Sequence, residues 1–293
     1  MSTMSVNTIL PFSGTDVKVS GVNIDDYNQA MKIGFQAGSS LGNYSTAVGR
    51  YALNASTGQG NTGVGFQSGR LQTTGFGNTS LGAFSMNDFI TGSSNTALGY
   101  HALRYATSSN NSTGVGSQAL LNLSTGNNNT ALGQDSGRNI TTGDNNVCIG
   151  FNAQATSAAV SNEITLGNAV NSVLRCAVTS ITSLSDSRDK KEIDELPVGL
   201  DFVNKLKPVK FVWDDRDENG RHDVKDFGFI AQDLKAAQEE TGLAETLKLV
   251  YESNPEKLEA SYGKLVPILV KAMQEMTSEI SSLKQEINEL KNK

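Results

Sequence analysis

From Gly34 to Gly167 the small, aliphatic and polar positions of this chain return at a fixed spacing. An aliphatic–glycine pair closes TAVG (Thr46–Gly49), TGVG (Thr62–Gly65), TSLG (Thr79–Gly82), TALG (Thr96–Gly99), TGVG (Thr113–Gly116), TALG (Thr130–Gly133), VCIG (Val147–Gly150) and ITLG (Ile164–Gly167). The glycines from Gly65 to Gly167 are spaced by 17 residues throughout, and Gly34 and Gly49 extend the series at spacings of 15 and 16. A fixed period of this length marks a repeat architecture. Before each aliphatic stands a small residue (Ala47, Gly63, Ser80, Ala97, Gly114, Ala131, Cys148), before that a Thr, and before that usually an Asn (Asn61, Asn78, Asn95, Asn129, Asn146). Stretches such as TGQGN, TGSSN and TGDNN separate the units, with Gly and Asn suited to the positive φ of tight turns. Recurrent Thr and Val around a central Gly argue for strands and against helix. The expected unit is a short strand pair and a turn. One aliphatic and a few Ala or Ser per unit leave little to bury, so several chains are expected to wrap one axis and share a narrow core.

A second period occupies the C-terminal end. Val266, Met273, Ile280 and Ile287 recur every seven residues, as do Tyr262, Leu269, Met276, Leu283 and Leu290, which places them at a and d of a heptad seam. Ile at a with Leu at d leans toward two strands by the simple core rule. The β repeat upstream argues for three, and a helix packed on its own domain is the plain alternative. The divisions read from these patterns are 1–32, an attachment or cap segment of short alternating strands; 33–169, the repeat fibre; 170–184, a polar-alternating connector; and 185–293, an α-rich α+β domain ending in a coiled-coil helix.

Charge sharpens the last boundary. Only nine charged residues, five Arg and four acids, lie in 34–184, whereas 185–293 holds 17 basic and 23 acidic residues, 40 of the 54 in the chain. A net charge of −6 argues against a general nucleic-acid binder. No apolar run reaches the length of a membrane span, and MSTMSVNTILPFSG lacks the basic and apolar regions of a secretory signal. Cys148 and Cys176 form no C-x-x-C, and with His101 and His222 the only histidines, neither a zinc site, a disulfide framework nor a His-based triad is expected. No cofactor and no metal are expected.

The repeat blocks resemble the NTALGxxAL-type repeats of viral tail-fibre proteins and, more distantly, the left-handed β-roll heads of trimeric adhesins. In the charged third, SDSRDKKEI (Ser185–Ile193), LDFVNKLKPVKFVW (Leu200–Trp213), DFGFIAQDL (Asp226–Leu234) and YGKLVPILVKAMQEM (Tyr262–Met276) follow in order. Together they resemble the C-terminal intramolecular chaperone of the endosialidase type, the self-cleaving domain of phage tail spikes and fibres. That resemblance implies a domain that trimerises and folds the upstream fibre and then removes itself. It maps the scissile bond to Leu184–Ser185, the nucleophile to Ser185 and the general base to Lys190. The family pattern S-D-x-R-x-K commonly continues through an Asn before the Ile; Glu192 stands there in this chain. A serine with a lysine base is a known variant of triad logic where no histidine is placed to serve. Because an ordinary lysine has a pKa of ~10.4, the base must be neutralised by burial or by nearby positive charge, for which Arg188 and Lys191 are the candidates.

The resemblances imply a homotrimeric tail or appendage fibre of a virion. It would be made in the host cytoplasm as a precursor, joined to a tail or baseplate protein through its N-terminal segment, and directed to a host-surface receptor, glycans included, with the cleaved chaperone released. No membrane insertion is expected. The different-class alternative is a cellular trimeric adhesin or stalk with a permanent, non-cleaving trimerisation domain. Aromatics beside the glycines (Phe35, Phe66, Tyr100, Phe151, with Tyr51 and Phe84 one further on) either stack on sugars or seal subunit seams. The Thr column as an ice-binding ladder needs a second flat rank. Cys148 and His101 read as structural.

Overall fold

Each repeat contributes a strand of only three residues. In the computed structural model, which describes residues 23–25, 30–171, 173–175, 185–214, 216 and 221–292, the strands are β1 (Asn23–Asp25), β2 (Ala30–Ile33), β3 (Thr46–Val48), β4 (Thr62–Val64), β5 (Thr79–Leu81), β6 (Thr96–Leu98), β7 (Thr113–Val115), β8 (Thr130–Leu132), β9 (Val147–Ile149) and β10 (Ile164–Leu166). They form one sheet in chain order. β1 pairs antiparallel with β2, and every later pair is parallel and in register, aliphatic on aliphatic throughout and Thr on Thr from β3 to β8. The result is a β-solenoid with one strand per turn rather than the expected strand pair. From β2 to β10 it rises about 38 Å at ~4.8 Å per step.

The single chain closes its own core, which corrects the expectation of a core shared between chains. Side chains alternate across a strand. The small central residue points inward, and Ala47, Ala97, Ala131 and Cys148 are buried. Thr and aliphatic must then point outward, and Leu81, Leu98, Leu132 and Ile149 are 40–50 % exposed. The interior is filled from the opposite side of each turn by Leu53, Met86, Phe89, Leu103, Leu120, Leu123 and Ile140. Leu53, Met86, Leu103 and Leu120 reach inward from positive-φ backbone (45° to 51°), a conformation hydrophobicity alone does not announce.

The Asn column has an interior role. Asn61, Asn78, Asn95, Asn129 and Asn146 are buried and form a ladder: the backbone N–H of Asn78 donates to Asn61 Oδ1 at 2.9 Å, and that of Asn95 to Asn78 Oδ1 at 2.9 Å. Each Nδ2 donates to a turn carbonyl of the next coil, Asn61 to Gly75 O at 2.7 Å and Asn78 to Gly92 O at 2.8 Å. Serine takes the slot at two turns: Ser45 Oγ accepts the backbone N–H of Asn61, and Ser112 donates its backbone N–H to Asn95 Oδ1 while its Oγ accepts from the backbone of Asn129. Buried polar groups satisfied at both ends fix the register of one turn on the next. The glycine ending each strand is a steric necessity. Gly99 has φ +135°, and a Cβ there would lie 2.5 Å from Gly116 O.

Contacts divide the chain into two compact units, Met1–Asn171 and Ser172–Lys293. The second holds α1 (Leu200–Val203), the hairpin of β11 (Val209–Asp214) and β12 (His222–Gly228), α2 (Ala231–Glu239), α3 (Ala244–Leu247), the short pair β13 (Val250–Tyr251) and β14 (Glu259–Ala260), and α4 (Leu265–Lys291). Phe202, Leu234, Leu247, Leu249, Leu265 and Ile268 form its core. Glu275 of α4 accepts the backbone N–H of Leu200 at 2.7 Å, tying the start of α1 to the long helix. A 17-residue β repeat followed by an α-rich α+β unit ending in a long helix is the expected architecture. The cap segment through Val22, the connector from Cys176 to Leu184, and Cys176 itself lie outside the described residues.

Candidate functional site

The first described residues of the charged region fold into a tight turn. Ser187–Asp189 form one turn of 3-10 helix whose N-cap, Asp186, accepts the backbone N–H of Arg188 through its carboxylate. The backbone N–H of Asp189 donates to Asp186 O and that of Lys190 to Ser187 O, both at 3.2 Å. Lys190 then leaves in extended conformation. This reversal over five residues brings Lys190 Nζ to 2.6 Å from Ser185 Oγ and 3.4 Å from Ser185 O. An amine at that distance can take a hydroxyl proton if it is itself uncharged. Both side chains are open to solvent.

The neighbouring charges differ from the expectation. Arg188 is clamped by Asp186, with Nε at 3.1 Å from both carboxylate oxygens and Nη2 at 2.6 Å from Oδ2. That pairing holds the Asp186 carboxyl below its ordinary range and the Arg188 guanidinium above its own. The Arg188 charge is therefore paired within the turn, by the same carboxylate that caps it. Among the described residues this unit gives Lys190 no burial. Leu184, the residue on the other side of the expected scissile bond, lies outside the described residues.

Glu192, the departure from the family pattern, has φ +56°. Every residue with a Cβ is strained there by roughly 1 kcal/mol, and Asn offsets part of that because its short side-chain amide can hydrogen-bond the local backbone, which the longer Glu does less well. Glu192→Asn is therefore expected to stabilise the C-terminal unit by about 0.5–1 kcal/mol, read as a higher Tm, and to quicken any cleavage that depends on this turn. The signal was present in the motif; its cause is visible only in the backbone.

Of the other residues singled out in the sequence, Cys148 is a buried thiol pushed up to about 11, first by burial and then by the Glu163 carboxylate. It stays protonated inside the solenoid. His101 accepts from Arg104 Nη1 at 3.0 Å through Nε2, and burial followed by the Arg104 charge lowers its pKa, so the ring is neutral at pH 7.

The heptad seam lies on α4, about 40 Å long at 1.5 Å per residue. Leu265, Ile268 and Ala272 bury the first turns of α4 against its own unit. The seam is a different set: Val266, Met273, Ile280, Leu283 and Ile287 are 47–68 % exposed. Beyond Ala272, no residue through Asn292 is buried. The helix packs on its own domain along one face; Tyr262, just before it at the head of the seam, packs its ring 5.6 Å from that of Phe229, and from Val266 onward the heptad face is open among the described residues.

Residues 185–243 match the peptidase S74 family model, described as the chaperone of endosialidase. No curated protein and no solved structure matches the chain. The match supports an intramolecular chaperone of autoproteolytic type in the C-terminal unit, following an upstream β-solenoid.

Proposed function

We propose that this chain, a β-solenoid with an endosialidase-type chaperone behind it, is the precursor of a homotrimeric appendage fibre that attaches a virion to a host surface. The chaperone assembles three chains and then cuts itself off at Leu184–Ser185. The observation that carries the reading is the 2.6 Å contact between Lys190 Nζ and Ser185 Oγ, at the point where composition changes.

The chemistry is an acyl shift followed by hydrolysis. Neutral Lys190 takes the Ser185 hydroxyl proton as Oγ attacks the Leu184 carbonyl carbon. The Leu184–Ser185 C–N bond breaks as the new ester forms, and the proton passes from Lys190 to the departing Ser185 amine. Water, again deprotonated by Lys190, then cleaves the ester, leaving a Leu184 carboxylate and a free Ser185 hydroxyl. Among the described residues Lys190 is exposed. A lysine acts as a base only in its uncharged form, which burial favours, so packing against other copies would switch the dyad on and make cleavage report completed assembly.

Two apolar features support the trimer. One is the heptad seam of α4. The other is the outward face of the solenoid, whose aliphatic column runs from Val48 to Leu166 and is half-buried to exposed among the described residues. A continuous exposed apolar stripe of this kind marks an interaction surface, and its uniformity along every turn fits an identical stripe on a second copy. The solenoid's own core means that the chaperone is needed to bring chains together rather than to close each coil.

The test is a denaturing gel of the purified chain with identification of the fragment termini. Fragments of about 20 and about 12 kDa, apportioning the 31.1 kDa mass by residue number, with Ser185 opening the smaller one, are expected. A single full-length band from assembled trimer would instead favour a permanent trimerisation domain on an adhesin or stalk.

A further inference from the structure

The corner that follows each strand is uneven along the solenoid. On turns Gly34 to Gly99 it carries Phe35, Tyr51, Phe66, Phe84 and Tyr100, which pack edge to face in two groups, Phe35 with Tyr51 and Phe66 with Phe84 and Tyr100. Phe35 and Tyr51 ring centroids lie 5.8 Å apart, Phe66 and Phe84 5.2 Å, and Phe84 and Tyr100 6.2 Å. Three guanidinium groups lie over these rings: Arg50 5.0 Å from the Tyr51 centroid, Arg70 5.8 Å from the same ring, and Arg104 5.4 Å from Phe84. Phe35 (63 %) and Tyr100 (49 %) stand open to solvent, as do Arg50 and Arg70.

The ridge stops while the solenoid goes on. At the two positions after Gly116 and after Gly133 stand Ser117 and Gln118, then Gln134 and Asp135; only Phe151 returns, alone. A seam required for packing copies along the fibre would repeat with the fold, as the aliphatic stripe does. A feature confined to five turns, spanning about 19 Å at ~4.8 Å per step, answers to something else.

Charge says what. Residues 34–105 carry three cations, Arg50, Arg70 and Arg104, against Asp88 alone, whereas residues 106–171 carry Arg138 against Asp135, Asp144 and Glu163. Asp88 lies 3.8 Å from Arg104 Nε, and among the described residues no carboxylate pairs with Arg50 or Arg70. Exposed ring faces suit the apolar face of a pyranose. Guanidinium forks suit carboxylate and sulfate groups, which they engage with two parallel hydrogen bonds.

We propose that this ridge binds an acidic polysaccharide, with Phe66 and Tyr100 stacking on sugar rings and Arg50 and Arg70 pairing with its anionic groups. The inference rests on the reading of the solenoid as an attachment fibre and names its receptor class. The test uses the full chain on immobilised dextran sulfate and on neutral dextran, with Arg50→Gln/Arg70→Gln and Phe66→Ala/Tyr100→Ala as variants. Oligomeric mass, thermal unfolding and cleavage are measured alongside. Binding to dextran sulfate but not dextran is expected, weakened at least tenfold by either pair of substitutions, with mass and cleavage unchanged. Full binding by either variant overturns the proposal, as does an assembled, cleaved wild type that ignores dextran sulfate. A changed oligomeric mass also overturns it, by placing the ridge between copies. Failure of the chaperone reading shows separately, as wild type that is uncleaved or monomeric.

Discussion

Ser185→Ala leaves the chain as one full-length band that still assembles, and Lys190→Met does the same. The first removes the attacking oxygen and the second the base 2.6 Å from it; losing either member of a catalytic unit lowers the rate by at least about 10³-fold. Since both side chains are exposed in the single chain, neither substitution disturbs its core, and folding of the C-terminal unit is expected to survive. Gel and sedimentation together make the check. Cleavage persisting in Ser185→Ala assigns the nucleophile elsewhere. Loss of assembly in both variants makes the contact structural, a hydrogen bond that merely closes the turn begun by Asp186.

Ile280→Asp with Ile287→Asp prevents assembly and, with it, cleavage. Fully burying an Ile contributes about 1.5–3 kcal/mol, so six such side chains in a trimer represent roughly 9–18 kcal/mol of association free energy. Their replacement by carboxylates adds like-charge repulsion at the axis. Neither position touches the core of its own unit, which is built at Leu265, Ile268 and Ala272 on the helix side. The C-terminal unit should therefore keep its own Tm while the chain sediments as a monomer with an uncleaved Leu184–Ser185 bond. Two strands rather than three would appear directly as the mass of the wild-type particle.

Much of this was legible in the residues, for physical reasons. A 17-residue spacing survives translation into structure because each turn of a solenoid must place the same side chain over the last. The heptad seam was legible for the same reason. What misled was hydrophobicity taken without alternation. Aliphatic character alone would put Val48 and its equivalents inside, yet a three-residue strand with Ala47 facing inward can only turn Thr46 and Val48 outward. The true interior, from Leu53, Leu103 and Leu120, recurs four residues after the glycines Gly49, Gly99 and Gly116 but sits on left-handed backbone at corners, where the alternation of a strand does not say which way a side chain points. Asn61 and its successors read as turn formers, but the positive φ belongs to the residue before them, as at Gly60, Ser94 and Asn128, while the Asn amides carry hydrogen bonds through the core.

At the candidate site, Ser185 and Lys190 were legible from the motif, and their contact needs only a turn that Asp186 caps. Arg188 was read as a positive neighbour for the lysine; its pairing with Asp186 follows from a cap geometry that the letters S-D-S-R do not spell out. The sequence also gives no sign that the lysine would stand in water. One chain brings both groups together in an exposed turn, and packing against other copies would supply the burial that a lysine base requires.

The most direct measurement is the time course of cleavage as denatured chain refolds at a series of concentrations. A rate that rises with chain concentration is expected, with cleavage lost on dilution below assembly and tracking the appearance of trimer. A cleavage rate independent of concentration, with fragments appearing in monomer, would contradict it.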